Sequence, residues 1–273
     1  MLEAIKREKN KSLNENITKI PKSLQDIIGN INLPNDNANS IVRSLNNNKL
    51  LGSSDGSIIQ TKDKTTGGHA YSLRDWDSDQ GLITGYNATP YSTNMTSLTA
   101  ELYGILATVI TLLILTITHS EEIQITARII ITSDNKQAIK MANNYQTPIN
   151  ITETLQPEYD LQVLLHQIIE LIPVNIQFTW VKGHQDQNSQ GETIHGPFLR
   201  EIYANIDMDK LAGHASKTSI ELSPRRHTYS TTVMGTCNKQ GDYIGNLKDH
   251  LLLQSRYKPL WNYLRKKTSG MMK

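Results

Sequence analysis

The stretch Arg128-Ile129-Ile130-Ile131-Thr132-Ser133-Asp134-Asn135 is the part of the sequence that decides the fold. Its run of β-branched residues predicts a short strand in the middle of a sheet, because a strand covered on both faces is apolar throughout. Asp134 follows at the carboxyl end of this strand, and residues 136–143 predict a helix. A strand that leads through an acidic residue into a helix is typical of α/β folds, whose functional side chains gather at the carboxyl ends of parallel strands.

The segments on either side predict one mixed sheet with helices packed against it. Thr96 or Ser97 is a suitable N-cap for a long apolar helix, and Glu101 falls in its first turns. The predicted fold class is therefore α/β, with a five-stranded mixed sheet flanked by helices. The predicted elements are, in chain order, strands at 50–60, 67–73 and 82–88, the helix from 97, the strand and helix described above, a helix at 157–171, a strand at 174–181 and a helix at 200–215.

Four carboxylates lie where these strands end or these helices begin. Carboxylates that converge on one point repel one another unless a cation neutralises them, and hard oxygen ligands favour Mg²⁺ or Mn²⁺. The pattern therefore predicts a metal-dependent enzyme that cleaves phosphodiesters. The acids and their settings are Asp55 in Ser-Ser-Asp-Gly-Ser, Glu101 in Thr-Ala-Glu-Leu, Asp134 in Thr-Ser-Asp-Asn, and Asp209 in Asn205-x-x-x-Asp209-x-Leu-Ala.

The order of these motifs, with Trp180-Val181-Lys182-Gly183-His184 between the third and fourth acids, resembles the type 1 ribonuclease H domain. The resemblance covers residues 49–216. Segments 51–57 and 97–102 are also similar to the ribonuclease H portion of retrotransposon and reverse-transcriptase polyproteins. The resemblance implies a ribonuclease H-like fold. It also implies an endonuclease that hydrolyses the RNA strand of RNA–DNA hybrids by two-metal-ion catalysis.

The resemblance further implies a role for each residue of the site. Asp55 would bridge two Mg²⁺ or Mn²⁺ ions, Glu101 and Asp134 would complete one metal site, and Asp209 would complete the other. His184 would move a proton or help to release the product. Backbone amides and hydroxyls would contact the hybrid near five residues, which are Gly56, Ser57, Thr96, Ser97 and Asn135. The segment 186–201, between His184 and the last helix, is longer than a minimal loop, which leaves the position of His184 open.

The two ends of the chain are polar and carry no recognisable chemistry. Residues 1–48 predict an N-terminal arm or linker, 49–217 the ribonuclease H-like catalytic domain, and 218–273 a C-terminal extension with short helices. The predicted partner is an RNA–DNA hybrid, and the retroelement resemblance adds the polymerase portion of a polyprotein as a second partner.

The composition limits where the protein can be located and how it can bind nucleic acid. A formal net charge of +2 gives no overall basic character, so any grip on phosphates must be local. The single cysteine, Cys237, and the lack of a secretory signal at the start predict an intracellular protein, cytoplasmic or nuclear. Residues 102–118 are uncharged, but several threonines interrupt them and neither flank is basic. We therefore expect residues 102–118 to form a buried core helix rather than a membrane span.

Two other functions remain open at this point. The first is a catalytically degenerate module that binds nucleic acid or scaffolds a polyprotein. The presence of all four acids argues against it. The second is a transposase or integrase that uses the same sheet on DNA, which the Trp-Val-Lys-Gly-His motif and the position of Asp209 disfavour.

Overall fold

The computed structural model describes residues 12–36, 38–61, 65–77, 81–89, 95–144, 158–184 and 199–218. The predicted C-terminal extension lies outside the described residues except for residue 218. Most of the 186–201 segment also lies outside them. The elements are α1 (Leu13–Lys19), α2 (Lys22–Ile28), β1 (Asn30–Asn32), α3 (Asn39–Asn46), β2 (Leu50–Gln60), β3 (Thr65–Asp75), β4 (Gly81–Ala88), α4 (Ser97–Thr118), β5 (Arg128–Ser133), α5 (Lys136–Asn143), α6 (Tyr159–Glu170), β6 (Asn175–Trp180) and α7 (Leu199–Thr218).

The strands form one mixed sheet in the order β1-β4-β3-β2-β5-β6. Strand β3 is antiparallel to both β2 and β4, whereas β5 is parallel to both β2 and β6. The α/β class and the mixed sheet flanked by helices are confirmed. The predicted number of strands is wrong by one, because β1 adds a sixth strand antiparallel to β4. Three residues without clear alternation give too weak a pattern to be recognised as a strand.

The N-terminal segment belongs to the folded domain, so the prediction of an arm or linker over 1–48 is wrong for its described residues. Apolar side chains of α1, α2 and α3 are buried in the main hydrophobic core. The Nδ2 of Asn16 donates to Thr118 Oγ1 over 2.9 Å, which ties α1 to the end of α4. The segment looks polar because each short helix buries only one side and exposes the other to solvent.

A buried histidine joins the N-terminal segment to the sheet. Complete burial lowers the pKa of His69, on β3, to about 4, so its ring is neutral at physiological pH. Its Nε2 donates to the carbonyl oxygen of Ile27 over 2.7 Å. His69 therefore has a structural role.

The 22-residue helix α4 is the centre of the core. It is long and apolar enough to cross a membrane, but 94% of its most apolar window is buried inside the protein, which confirms the predicted core helix. Its threonines fit an apolar interior because their hydroxyl groups find partners. Thr108 donates to the carbonyl oxygen of Gly104 over 2.9 Å, and Thr111 donates to the hydroxyl of Tyr71 over 3.0 Å.

Helices α4 and α7 cover opposite faces of the sheet around β2. Gly56 approaches the backbone of α4 so closely that a Cβ atom there would overlap the peptide between Ala100 and Glu101. On the other face, the hydroxyls of Ser57 and Ser216 of α7 lie 3.4 Å apart. Because successive strand residues point to opposite faces, Asp55 lies on the α7 side of β2, while its neighbour Gly56 lies against Glu101 of α4.

Candidate metal centre

Three carboxylates from three elements converge at one edge of the sheet. They belong to Asp55 of β2, Glu101 in the second turn of α4, and Asp134 directly after β5. One ligand oxygen from each lies within 4.8 Å of the other two. Asp55 and Glu101 are buried, with 4% and 3% of their surface exposed, whereas Asp134 is half-buried. The cluster therefore opens to solvent on the side of Asp134.

Two glycines allow this close packing. The hydrogen atom of Gly56 leaves room for the N-terminal turns of α4, which brings Glu101 beside Asp55. At Gly183, in the segment after β6, an added Cβ atom would overlap the carboxylate of Asp134. A side chain at Gly56 would collide with backbone, whereas one at Gly183 would force the Asp134 carboxylate to shift. The φ angle of neither glycine is in the left-handed region, so space and not backbone conformation requires them. The Gly in Trp-Val-Lys-Gly-His thus has a physical explanation in the site itself.

Ser133 is a contributor to the site that the sequence analysis missed. Its hydroxyl donates to Oε2 of Glu101 over 3.1 Å and accepts from the backbone N–H of Asn135 over 3.2 Å. Ser133 is completely buried at the end of β5. It therefore orients the buried Glu101 carboxylate relative to the turn that carries Asp134. The sequence signal was present as the residue before Asp134, but an isolated serine at a strand end has many uses.

Burial and mutual repulsion raise the pKa values of the clustered acids. The pKa of Asp55 lies well above its usual range, first because of burial and then because of the charges of Asp134 and Asp209. The pKa of Glu101 is also well above its usual range, through burial and then the charges of Asp55 and Asp134. Burial likewise raises the pKa of Asp134, and the nearby His184 counteracts part of that rise. Such a cluster keeps protons or takes up a cation.

The donor set fits a divalent cation. Within the described residues, the charges that act most strongly on Asp55 and Glu101 are those of other carboxylates. All three donors are hard oxygens, which suit Mg²⁺ or Mn²⁺ and are unlike the cysteine and histidine sets of zinc sites. Neutralisation by a bound cation would remove the repulsion that otherwise destabilises the cluster.

Asp209 lies beside this cluster on α7. It falls outside the group of three defined by the 4.8 Å spacing, but its charge raises the pKa values of both Asp55 and Asp134. Its Oδ2 lies 3.6 Å from Nδ1 of His184. The neighbouring Asp207 faces elsewhere, and its Oδ2 accepts from Nη1 of the buried Arg74 over 3.2 Å. Of the two acids, Asp209 is thus the one that faces the site.

His184 lies at the open rim of the site with an unusual backbone conformation. Its φ of 52° is in the left-handed region, which residues other than glycine rarely adopt, and its side chain is 58% exposed. The structure brings its ring next to Asp209. A non-glycine residue held in this conformation is often part of a functional site, since the surrounding structure must offset the cost.

The residues predicted to contact the hybrid lie around the site but differ in what their side chains do. The hydroxyl of Thr96 caps α4 by accepting from Thr99 N–H over 3.0 Å, and it donates to the buried Glu158 over 3.0 Å. Asn135 Oδ1 caps α5 by accepting from two backbone N–H groups over 3.0 Å each. Ser97 is exposed, and Gly56 and Ser57 are half-buried. Direct contact of these residues with a nucleic acid stays a prediction.

Trp180 is a second contributor that the sequence analysis did not assign to a task. Its indole Nε1 donates to the backbone carbonyl oxygen of Asp134 over 2.8 Å. The backbone N–H of Val181 donates to the carbonyl oxygen of Ser133 over 3.1 Å, directly alongside. The end of β6 therefore holds the turn that carries Asp134. This contact crosses between two strands, so no local pattern could have shown it.

The sequence matches no protein-family model and no curated protein. Solved structures of similar fold include the N-terminal RNase H domain of a Mycobacterium tuberculosis protein, solved as a fusion with maltose-binding protein, at 16% identity and a TM-score of 0.42. They also include the PFV RNase H domain at 18% and 0.46, and LC11-RNase H1 in complex with RNA/DNA hybrid at 12% and 0.40. The matches cover 63%, 62% and 63% of this chain and 96%, 95% and 99% of those chains. Similarities of this size say nothing about the activity of the present chain.

Proposed function

We propose that this protein is a metal-dependent endonuclease that hydrolyses the RNA strand of RNA–DNA hybrids. One observation carries the proposal: Asp55, Glu101 and Asp134, from three separate elements, converge within 4.8 Å at an open edge of the sheet. A buried group of like charges costs stability, so the fold keeps it for a purpose other than its own stability. The matching order of the sequence motifs supports hybrid hydrolysis as that purpose.

The site residues divide the work between holding metal ions and moving protons. Asp55, Glu101 and Asp134 would hold one divalent cation, and Asp55 with Asp209 a second. Bound together, two such ions supply an activated water and stabilise charge on the attacked phosphate and on the leaving oxygen. His184, whose Nδ1 lies 3.6 Å from Asp209 at the exposed rim, would move a proton to or from the reacting phosphate group.

The choice of substrate rests on the resemblance of the motifs and on the shape of hybrid duplexes. A hybrid presents 2′-hydroxyls on one strand only, in a wide and shallow minor groove that a flat protein surface can follow. Backbone amides near Gly56 and Asn135 border the acid cluster on β2 and after β5. We propose slight sequence preference, because contacts to sugars and phosphates carry no base information. A retroelement origin, a polymerase partner and an intracellular location are proposed on the sequence alone.

Cleavage assays with matched duplexes test this function. The purified chain is incubated with end-labelled RNA–DNA hybrid, duplex DNA and duplex RNA, each with Mg²⁺, Mn²⁺, Ca²⁺ or a chelator. We expect cuts in the RNA strand of the hybrid with Mg²⁺ or Mn²⁺ and none with Ca²⁺, whose looser coordination misplaces the water. Asp55→Asn should abolish the cuts, while Asp207→Asn should keep them. Tight hybrid binding without cleavage in either metal would instead indicate the degenerate binding module.

A further inference from the structure

A lysine two residues after Asp134 lies over an aromatic ring. The Nζ of Lys136, in the first turn of α5, lies 4.2 Å from the ring centroid of Trp180. Trp180 is 40% exposed, which is unusual for a large aromatic side chain, and Lys136 is exposed as well. A cation is attracted to the face of an indole ring, so the ring favours this position of the ammonium group.

The same indole ring is tied to the site. Its Nε1 donates to the carbonyl oxygen of Asp134 over 2.8 Å, and Lys136 follows Asp134 by two residues. The ring therefore links the ammonium group of Lys136 to the backbone of Asp134. A positive charge thus lies on the ring that is bonded to the backbone of Asp134, at the carboxyl ends of β5 and β6.

A positive charge near the site would help to bind the proposed substrate, which is a polyanion. Four acids at the site repel a polyanion, and the net charge of +2 offers little general attraction. Binding must then come from individual basic groups near the site. Lys136 suits that task because the ring limits its freedom before the substrate arrives, which reduces the entropy lost on binding.

We propose that Lys136, held by Trp180, contacts a backbone phosphate of the hybrid next to the phosphate that is cut. This inference rests on the proposed function for its substrate. Lys136 is a residue that positions the substrate, and the indole ring positions Lys136. The contact carries no base information, so it contributes equally to hybrids of any sequence.

Binding of a fluorescent RNA–DNA hybrid to the full chain, with Ca²⁺ in place of Mg²⁺ over a series of salt concentrations, tests the contact. Lys140→Met is the matched control for Lys136→Met, since Lys140 is exposed on the same helix one turn further on. We expect Lys136→Met to bind several-fold more weakly. Its plot of log affinity against log salt should be shallower by about 0.9, the value for one lost phosphate contact. Lys140→Met should keep the wild-type slope.

Two variants of the ring complete the test. Trp180→Leu removes the aromatic face and should behave like Lys136→Met. Trp180→Phe removes the indole N–H but keeps a ring, so it should keep most of the salt slope. Equal slopes for Lys136→Met and Lys140→Met would overturn the contact, and a wild-type slope for Trp180→Leu would overturn the role of the ring. A wild type that binds hybrid but cuts nothing with Mg²⁺ or Mn²⁺ would overturn the proposed function while leaving the contact intact.

Discussion

Replacing Asp55 with asparagine is expected to stabilise the protein in metal-free buffer while abolishing cleavage. Asp55 is buried and lies within 4.8 Å of two other carboxylates. Two unit charges at 4.8 Å repel by about 3.5 kcal/mol at an effective dielectric constant of about 20. Shared protons reduce this repulsion near neutral pH. We therefore expect the free energy of unfolding to rise by about 1 to 3 kcal/mol.

The stability of the wild type is expected to fall as the pH rises, because of the raised pKa of Asp55. The pKa of Asp55 is raised in the native state, whereas in the unfolded chain it has its ordinary value. Between these two values the native state binds more protons, so stability falls as pH rises. The loss begins in the ordinary carboxyl range and is complete above the raised native pKa. Asp55→Asn removes part of this titration, so its stability should fall less steeply with pH than that of the wild type.

Thermal unfolding measured with and without Mg²⁺ or Mn²⁺ checks both points. For a domain of about 150–250 residues, 1 kcal/mol corresponds to about 2–4 °C in Tm. Asp55→Asn should unfold several degrees higher than wild type in chelator, and added metal should stabilise wild type much more than the variant. Asp207→Asn is the control and should lower Tm, because it weakens an ion pair with the buried Arg74. A lower Tm for Asp55→Asn in chelator would refute the argument from repulsion.

Three further outcomes follow from the same site. His184→Ala should slow single-turnover cleavage by about 10²- to 10⁴-fold, less than the loss of an acid; a wild-type rate at every pH would remove it from the chemistry. Asp209→Asn should lose most activity while Asp207→Asn keeps nearly all of it, and the reverse result would mean that α7 presents a different face. Gly183→Ala should lower the free energy of unfolding by about 1 to 3 kcal/mol and weaken metal binding, because the added methyl group overlaps the Asp134 carboxylate; unchanged calorimetric metal binding would contradict this.

The N-terminal segment shows where reasoning from composition failed. Its polar residues suggested an arm, yet Ile27, Ile41 and Leu45 are completely buried. A short amphipathic helix shows only that one side is apolar. Whether that side is covered depends on whether another element offers a matching surface. Helix α4, apolar on all sides, needs such covers on every side that the sheet does not reach. The sequence of α4 shows that its apolar surface must be covered, but it does not show which segment covers it.

The sequence by itself determined the α/β class, the core helix and the four acids as candidates, because strand and helix periodicity and short motifs are local properties of the chain. The tertiary structure decided which atoms meet. It set Ser133 against Glu101 and tied the indole of Trp180 to Asp134. These contacts join residues 32 to 46 positions apart or lie on separate elements, so they depend on strand register and on how closely glycines let the backbones approach. Such distances are properties of the packed molecule and have no signature in any local stretch of sequence.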